Sequence, residues 1–269
     1  MKTDDLLKAA KGYSNLRLDI EEKVAVVTMN RPDLKNALND ETLHEIETLF
    51  SQLEQTTEVL GIILTGTEDV FASGADIAQL KRCGGAEAKK RADYSQAVFN
   101  QLEGLGKPVI AAVNGQAESE GMELSLSCDF RIASENAVFS LPEVQLGIIP
   151  GAGGTQRLPR LIGAGRAKEL IYTGGRVEAE EAWVIGLVNR VVHDKWLLEE
   201  AKNIMKTIVG MAPGAVRCAK SAINRGANMD LQAGLEMEKD LCALCFDTED
   251  KEEGMTALLE NRPPVFRGR

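Results

Sequence analysis

Histidine is scarce, with His44 and His193 the only two in 269 residues. A zinc centre of clustered histidine and cysteine lacks ligands on that count. A Ser-His-Asp hydrolase would need one of the two, and no G-x-S-x-G presents a serine. The local patterns put His44 on the polar side of a helix and His193 in a strand-end loop. Aromatic side chains are only 4%, so the core must rest on Ala, Val, Ile and Leu. No apolar run reaches the length of a membrane helix, and the first residues, MKTDDLLKAAKG, carry acids and lysines where a secretory leader needs an apolar stretch. Basic charge is also short: 31 Lys+Arg face 41 Asp+Glu, a net charge of -10. That excludes the broad basic face by which proteins hold nucleic acid, though not one local basic pocket for an anion. Five cysteines at scattered positions form no disulfide framework, and the expected setting is cytoplasmic. Cys242 and Cys245 have C-x-x-C spacing, but in mid-helix, which reads as small core residues rather than a redox pair.

What is present describes a globular chain: 44% hydrophobic and 27% charged residues, long enough for one large domain or a main domain with an appendage. Residues 1–15 read as a polar lead-in. Val24–Met29 is apolar and β-branched, a strand buried on both faces, and Asn30-Arg31-Pro32-Asp33 stops it. A helix follows with Asn39 or Asp40 as its cap and Leu43, Ile46, Leu49, Phe50 and Leu53 on one face. Strands follow at 60–65, Val109–Val113 and 130–133, separated by a helix that carries Tyr94, Val98 and Leu102 and by a short helix over 121–128. Strands alternating with helices imply mostly parallel pairing in an α/β core. From about Trp196 helical patterns follow one another without strands, over 196–210, 213–225, 230–246 and 248–261. The expected division is an α/β core over 1–195 and an all-helical region over 196–269.

Four segments offer chemistry. Phe71-Ala72-Ser73-Gly74-Ala75-Asp76-Ile77 places small residues after a strand, either a tight strand-to-helix turn or a nest of free N–H donors. Asn114-Gly115-Gln116-Ala117-Glu118-Ser119-Glu120-Gly121-Met122-Glu123-Leu124 joins a buried strand to a helix. Its backbone N–H groups near Glu120 and Gly121 can hold developing negative charge, or its acids can be a solvated helix start. Ser140-Leu141-Pro142-Glu143-Val144-Gln145-Leu146-Gly147 sets one acid among apolar neighbours, where burial would raise its pKa. Ile149-Pro150-Gly151-Ala152-Gly153-Gly154-Thr155-Gln156-Arg157-Leu158 is glycine-rich but lacks the Lys and Ser/Thr of a phosphate loop and the spacing of a dinucleotide fingerprint. It reads as the start of a helix with close packing.

Together these segments resemble the crotonase superfamily, the enoyl-CoA hydratase/isomerase group. The likeness extends from Asn30-Arg31-Pro32 and Asn36-Ala37-Leu38 to Phe246-Asp247-Thr248-Glu249-Asp250, Glu253-Gly254-Met255 and Arg262-Pro263-Pro264-Val265-Phe266. The resemblance implies a spiral of ββα units with a helical C-terminal trimerisation region, assembled as a homotrimer or a dimer of trimers. It implies an acyl-CoA thioester as substrate and no metal or other cofactor beyond the coenzyme A of the substrate; the acidic charge and the lack of a long apolar run argue against a nucleic-acid or membrane partner. By motif position, the two oxyanion-hole N–H donors fall at Ser73 and Glu120. Hydratases of this group carry two glutamates, here Glu123, which would activate water for attack on Cβ, and Glu143, which would protonate Cα. The coenzyme is expected along Ala72, Ser73, Gly74, Ala75, Asp76 and Ile77, with Lys35, Ala37 and Gly121 adjoining. The implied activity is enoyl-CoA hydration. An enoyl-CoA isomerase, another acyl-CoA enzyme of the group or an impaired CoA binder are the alternatives.

One stretch departs from the pattern. Hydratases of this group usually have a run of glycines before the first glutamate, where this chain has Glu118-Ser119-Glu120-Gly121. A non-glycine residue at positive φ costs about 1–2 kcal/mol. A carboxylate about 8 Å from an enolate oxygen, at an effective dielectric near 20, disfavours it by roughly 2 kcal/mol. The expectation is that the Glu120 side chain turns away while its N–H stays in use. A cationic acyl group or an impaired site are the other outcomes.

Overall fold

The computed structural model describes all 269 residues. It opens with α1 (Thr3–Ala10), β1 (Leu16–Glu21), β2 (Val24–Met29) and α2 (Asp40–Gln55). Three rising turns follow: β3 (Gly61–Thr65), β4 (Val70–Ala72), α3 (Ile77–Leu80) and α4 (Gly85–Gly104); then β5 (Val109–Val113), β6 (Gln116–Glu118) and α5 (Glu120–Leu126); then β7 (Phe130–Ser134), β8 (Val138–Ser140), α6 (Gly154–Ile162) and α7 (Ala164–Thr173). β9 (Arg176–Glu178), α8 (Ala179–Val184) and β10 (Arg190–Val192) complete the sheets. α9 (Leu197–Val209), α10 (Pro213–Gly226), α11 (Leu231–Phe246) and α12 (Glu249–Leu259) form the helical end.

Each turn contributes one strand to each of two sheets. The six-stranded sheet runs β1-β2-β3-β5-β7-β10 and the four-stranded sheet β4-β6-β8-β9. Pairing is parallel through the middle of both, and β1 with β2 and β8 with β9 are the antiparallel edges. This is the ββα spiral that the resemblance implies.

The alternation along the central strands explains why they read as unbroken apolar runs. Ala25, Val27, Ile62, Leu64, Val109 and Ala111 face the main core. Val24, Val26, Ile63, Ile110, Ala112 and Ile132 face the other way, where Leu197, Ala201 and Met205 of α9 cover them. A sheet covered on both faces has no solvent side to mark with polar residues. The first helix of the C-terminal run is thus part of the packing of the strand region. No helix is long and apolar enough to cross a membrane.

α2 forms as its pattern requires. The Asn39 side chain accepts the Thr42 N–H at 2.8 Å, and Leu43, Ile46, Leu49, Phe50 and Leu53 are fully buried. Two local expectations need correction, and four short strands lie outside the sequence reading. Residues 1–15 are not a plain lead-in, because α1 buries Leu6 and Ala10 and β1 begins at Leu16. The short strands β4, β6, β8 and β9 have three residues each, too few to show a period. Cys242 is exposed and Cys245 half-buried on α11, which buries none of its residues, so neither is a core residue of the chain.

Candidate active site

The two sheets end their second and third turns at one cavity of about 1100 Å³. Both glutamates line it, Glu123 from α5 and Glu143 from the 3-10 turn Glu143–Leu146. Pro142 precedes that turn, and its ring supplies the fixed φ that starts it.

Glu123 is buried, so the solvated-helix reading of its segment does not hold. Its Oε1 accepts the N–H of Ala152 at 2.9 Å and of Gly154 at 2.7 Å. Gly154 opens α6, and a Cβ there would press on the Glu123 side chain. The glycine-rich fourth segment is therefore a carboxylate cradle as well as a helix start. The Glu123 carboxyl is pushed up to about 8, chiefly by burial, with the nearby Glu120 and Glu143 charges adding to the rise and the two amides opposing it. Burial also raises Glu143, while the Ser119 hydroxyl, donating to its Oε1 at 2.7 Å, works in the opposite sense. Glu143 Oε2 is buried without a partner.

The departing loop is strained where glycine would not be. Ser119 has φ +52° and ψ -131°, a region open chiefly to glycine and costing about 1–3 kcal/mol for other residues. Glu120 begins α5, so its N–H has no carbonyl one turn back to receive it. Its side chain is buried and occupied: Arg91 of α4 lies 2.6 Å away and the Ser95 hydroxyl donates to it. Burial raises the Glu120 carboxyl, and Arg91 and Ser95 hold it down. Glu118 pairs with Arg176 at 2.8 Å.

The first of the two expected N–H donors is misplaced. The Ser73 N–H donates to the Lys35 carbonyl at 3.0 Å, and Ser73 does not line the cavity. An amide committed to a carbonyl cannot also grip a substrate oxygen. Two residues on, Ala75 does line the cavity, and its N–H donates to no group of the protein. The preceding Gly74 has φ +102°, the bend that turns the next amide out of the loop. Of the residues expected along the coenzyme, Ala75 and Ile77 line the cavity, while Lys35, Ala37, Ala72, Ser73, Gly74, Asp76 and Gly121 do not. Lys35 is exposed. Asp76 caps α3 through the Ala78 N–H. Gly121 is packed so closely on β4 that a Cβ would overlap the Ala72 carbonyl.

Arg91, Ser95, Ser119, Ala152 and Gly154 escaped the sequence reading. Only the replacement of glycine by serine at 119 and the acid at 120 pointed toward them.

This geometry agrees with what the chain resembles. The enoyl-CoA hydratase/isomerase family model matches residues 19–269. The short-chain-enoyl-CoA hydratase of Clostridium acetobutylicum is 50% identical over 250 residues, 93% of this chain and 96% of that protein. The crotonyl-CoA hydratase of Syntrophomonas wolfei is 48% identical over 255 residues, 94% of this chain and 98% of that one. Among solved structures, enoyl-CoA hydratase from Bacillus anthracis superposes with a TM-score of 0.92 at 42% identity, covering 95% of this chain and all (100%) of that one. The chain belongs to the enoyl-CoA hydratase/isomerase family.

Proposed function

We infer that the protein is an enoyl-CoA hydratase, a hydro-lyase that adds water across the double bond of a 2-enoyl-CoA. The observation that carries this is the presence of two carboxyl groups, Glu123 and Glu143, in one cavity that Ala75 and Glu120 also line. Hydration puts oxygen on Cβ and hydrogen on Cα, so it needs a base and an acid together.

The thioester oxygen would accept the N–H groups of Ala75 and Glu120, which hold the negative charge that develops when water attacks. One such donor lowers the barrier by roughly 3–4 kcal/mol. Glu123, its Oε1 fixed by two amides, takes a proton from the attacking water, whose oxygen bonds to Cβ. The enolate then takes the Glu143 proton at Cα. The proton gained at Glu123 balances the one lost at Glu143, and water has been added. Both carboxyls are raised by burial, and Glu123, at about 8, serves as base through the fraction that has lost its proton, a form the Ala152 and Gly154 amides favour. Only protein groups act, and coenzyme A enters as part of the substrate.

Part of the cavity wall is polar, where Gln96 donates to the Gly151 carbonyl at 2.7 Å and Arg157 pairs with Glu103 at 2.8 Å, a stretch that favours a short acyl chain, while Val144, Leu146, Ile148 and Ile149 line an apolar part. Two of the relatives carry short-chain or crotonyl names. Ile223, Leu231, Leu244, Leu258 and Leu259 lie exposed on α10 to α12, an apolar face that packing against other copies in a trimer would cover. Five free cysteines fit a reducing, cytoplasmic setting.

The test is crotonyl-CoA hydration by the wild-type chain and by Glu123→Gln and Glu143→Gln. Wild-type turnover with a loss of about 10²–10⁴ in kcat for each variant is expected. Double-bond migration without hydration, surviving Glu123→Gln, would instead make the chain an isomerase.

A further inference from the structure

We propose that Ser119 is a positioning residue for the proton donor, selecting which oxygen of Glu143 carries the proton that reaches Cα. The inference rests on the role given to Glu143 above.

Ser119 is held at both ends. Its N–H donates to the Ser140 carbonyl at 2.9 Å, at the end of β8, three residues before Glu143. Its hydroxyl donates to Glu143 Oε1 at 2.7 Å. An oxygen that accepts this bond is the carbonyl-like one of the carboxylic acid, so the acidic proton sits on Oε2. Oε2 has no partner in the protein and is closed to solvent, while Glu143 lines the cavity, so the proton reaches Cα only once bound substrate packs against this side chain. When the Oε2–H bond breaks, Cα takes the proton and the electron pair stays on the carboxylate. The serine bond, now to a charged acceptor, strengthens at that moment.

The surroundings are shaped for this side chain. Ser119 occupies a backbone conformation that glycine would adopt without strain. Across from it, Gly74 leaves the space that the serine fills, since a Cβ on Gly74 would collide with Ser119 Cβ and Oγ. A strained serine opposite a required glycine is explained by what its hydroxyl does.

Ser119→Gly and Ser119→Ala test the proposal, with kcat, KM and pH profiles for crotonyl-CoA hydration. Glycine relieves the strain, so a loss in that variant cannot come from a misfolded loop. Both variants are expected to lose about tenfold in kcat, the effect of one hydrogen bond to a charged group. KM should stay within about twofold of wild type, because substrate binding is untouched. The alkaline limb of the profile, where Glu143 loses its proton, should move to higher pH when the donor that favours the carboxylate is gone. A Ser119→Gly enzyme with the wild-type kcat and pH profile overturns the proposal, as does a change confined to KM. Glu143→Gln separates the two readings. If it retains activity, the role of Glu143 itself fails; if it loses activity while the serine variants match wild type, only the role of Ser119 fails.

Discussion

The guanidinium of Arg91 stands 2.6 Å from the Glu120 carboxylate, with only 11% and 7% of the two side chains exposed. Arg91 reaches the site from α4, donates to the Leu38 carbonyl at 3.0 Å and pairs with Asp40 at 2.6 Å. The buried acid that opens α5 is thus paired with a cation on a neighbouring helix. Under the proposed mechanism, its charge does not act alone on the enolate beside the adjacent amide.

Removing that cation should therefore harm both stability and rate. Arg91→Met leaves a buried carboxylate unpaired, at a cost of about 3–5 kcal/mol. An unscreened Glu120 charge near the enolate would add roughly 2 kcal/mol to the barrier, about thirtyfold in kcat. Adding Glu120→Gln should restore most of the stability. Denaturant melts and kcat for the two variants check this, and an Arg91→Met protein as stable as wild type would contradict it.

Ala75→Pro deletes one proposed oxyanion donor while keeping the apolar side chain small. A loss of about 10²–10³ in kcat is expected, the effect of one such donor. Binding of a saturated acyl-CoA, measured calorimetrically, should persist. Near-normal turnover would return the donor role to another amide of the loop.

Glu123 gives stability a pH dependence of known sign. Its folded-state pKa, about 8, lies above its ordinary value of 4.5. Between those values the folded chain holds a proton that the unfolded chain releases, so stability falls as pH rises through that window. The contribution is fully present below the ordinary value and gone once pH passes the folded one. Glu123→Gln has no such proton, and its melting temperature should fall less between acid and pH 8. Parallel curves for the two proteins would place the proton elsewhere.

Gly121→Ala tests the approach of α5 to β4. A Cβ at this position would run into the Ala72 carbonyl, and backbone cannot rotate away as a side chain does. Overpacking of this kind costs typically 1–3 kcal/mol and shifts the Glu120 amide from its place. A chemical melt and a kcat measurement should both register it, whereas Gly85→Ala, with open space around its Cβ, should register in neither.

A polar wall at Gln96 and Arg157 predicts a preference for short chains. Crotonyl-CoA should be hydrated with a higher kcat/KM than a long-chain enoyl-CoA. Each methylene buried in an apolar pocket is worth about 0.8 kcal/mol, a gain that a polar wall does not return. A rising kcat/KM with chain length would refute this.

The sequence by itself determined the architecture and the two acids. Leu43, Ile46, Leu49, Phe50 and Leu53 are spaced for one helix face and are buried on it, and the runs at β2, β3 and β5 are strands covered on both sides. Glu143 stands out as an acid among apolar neighbours, whereas Glu123 is singled out by the resemblance to the family, since its own segment reads equally as a solvated helix start. Burial patterns of this kind repeat within a few residues, so the chain carries them locally. Only the tertiary structure decided who satisfies whom. Glu120 meets Arg91 from 29 residues away, and Glu123 takes the amides of Ala152 and Gly154 from 29 and 31 residues away. Ser73 loses its N–H to Lys35 and leaves the free amide to Ala75. A hydrogen bond depends on distance and direction between segments that the spiral brings together, and the order of residues along one segment does not contain that information.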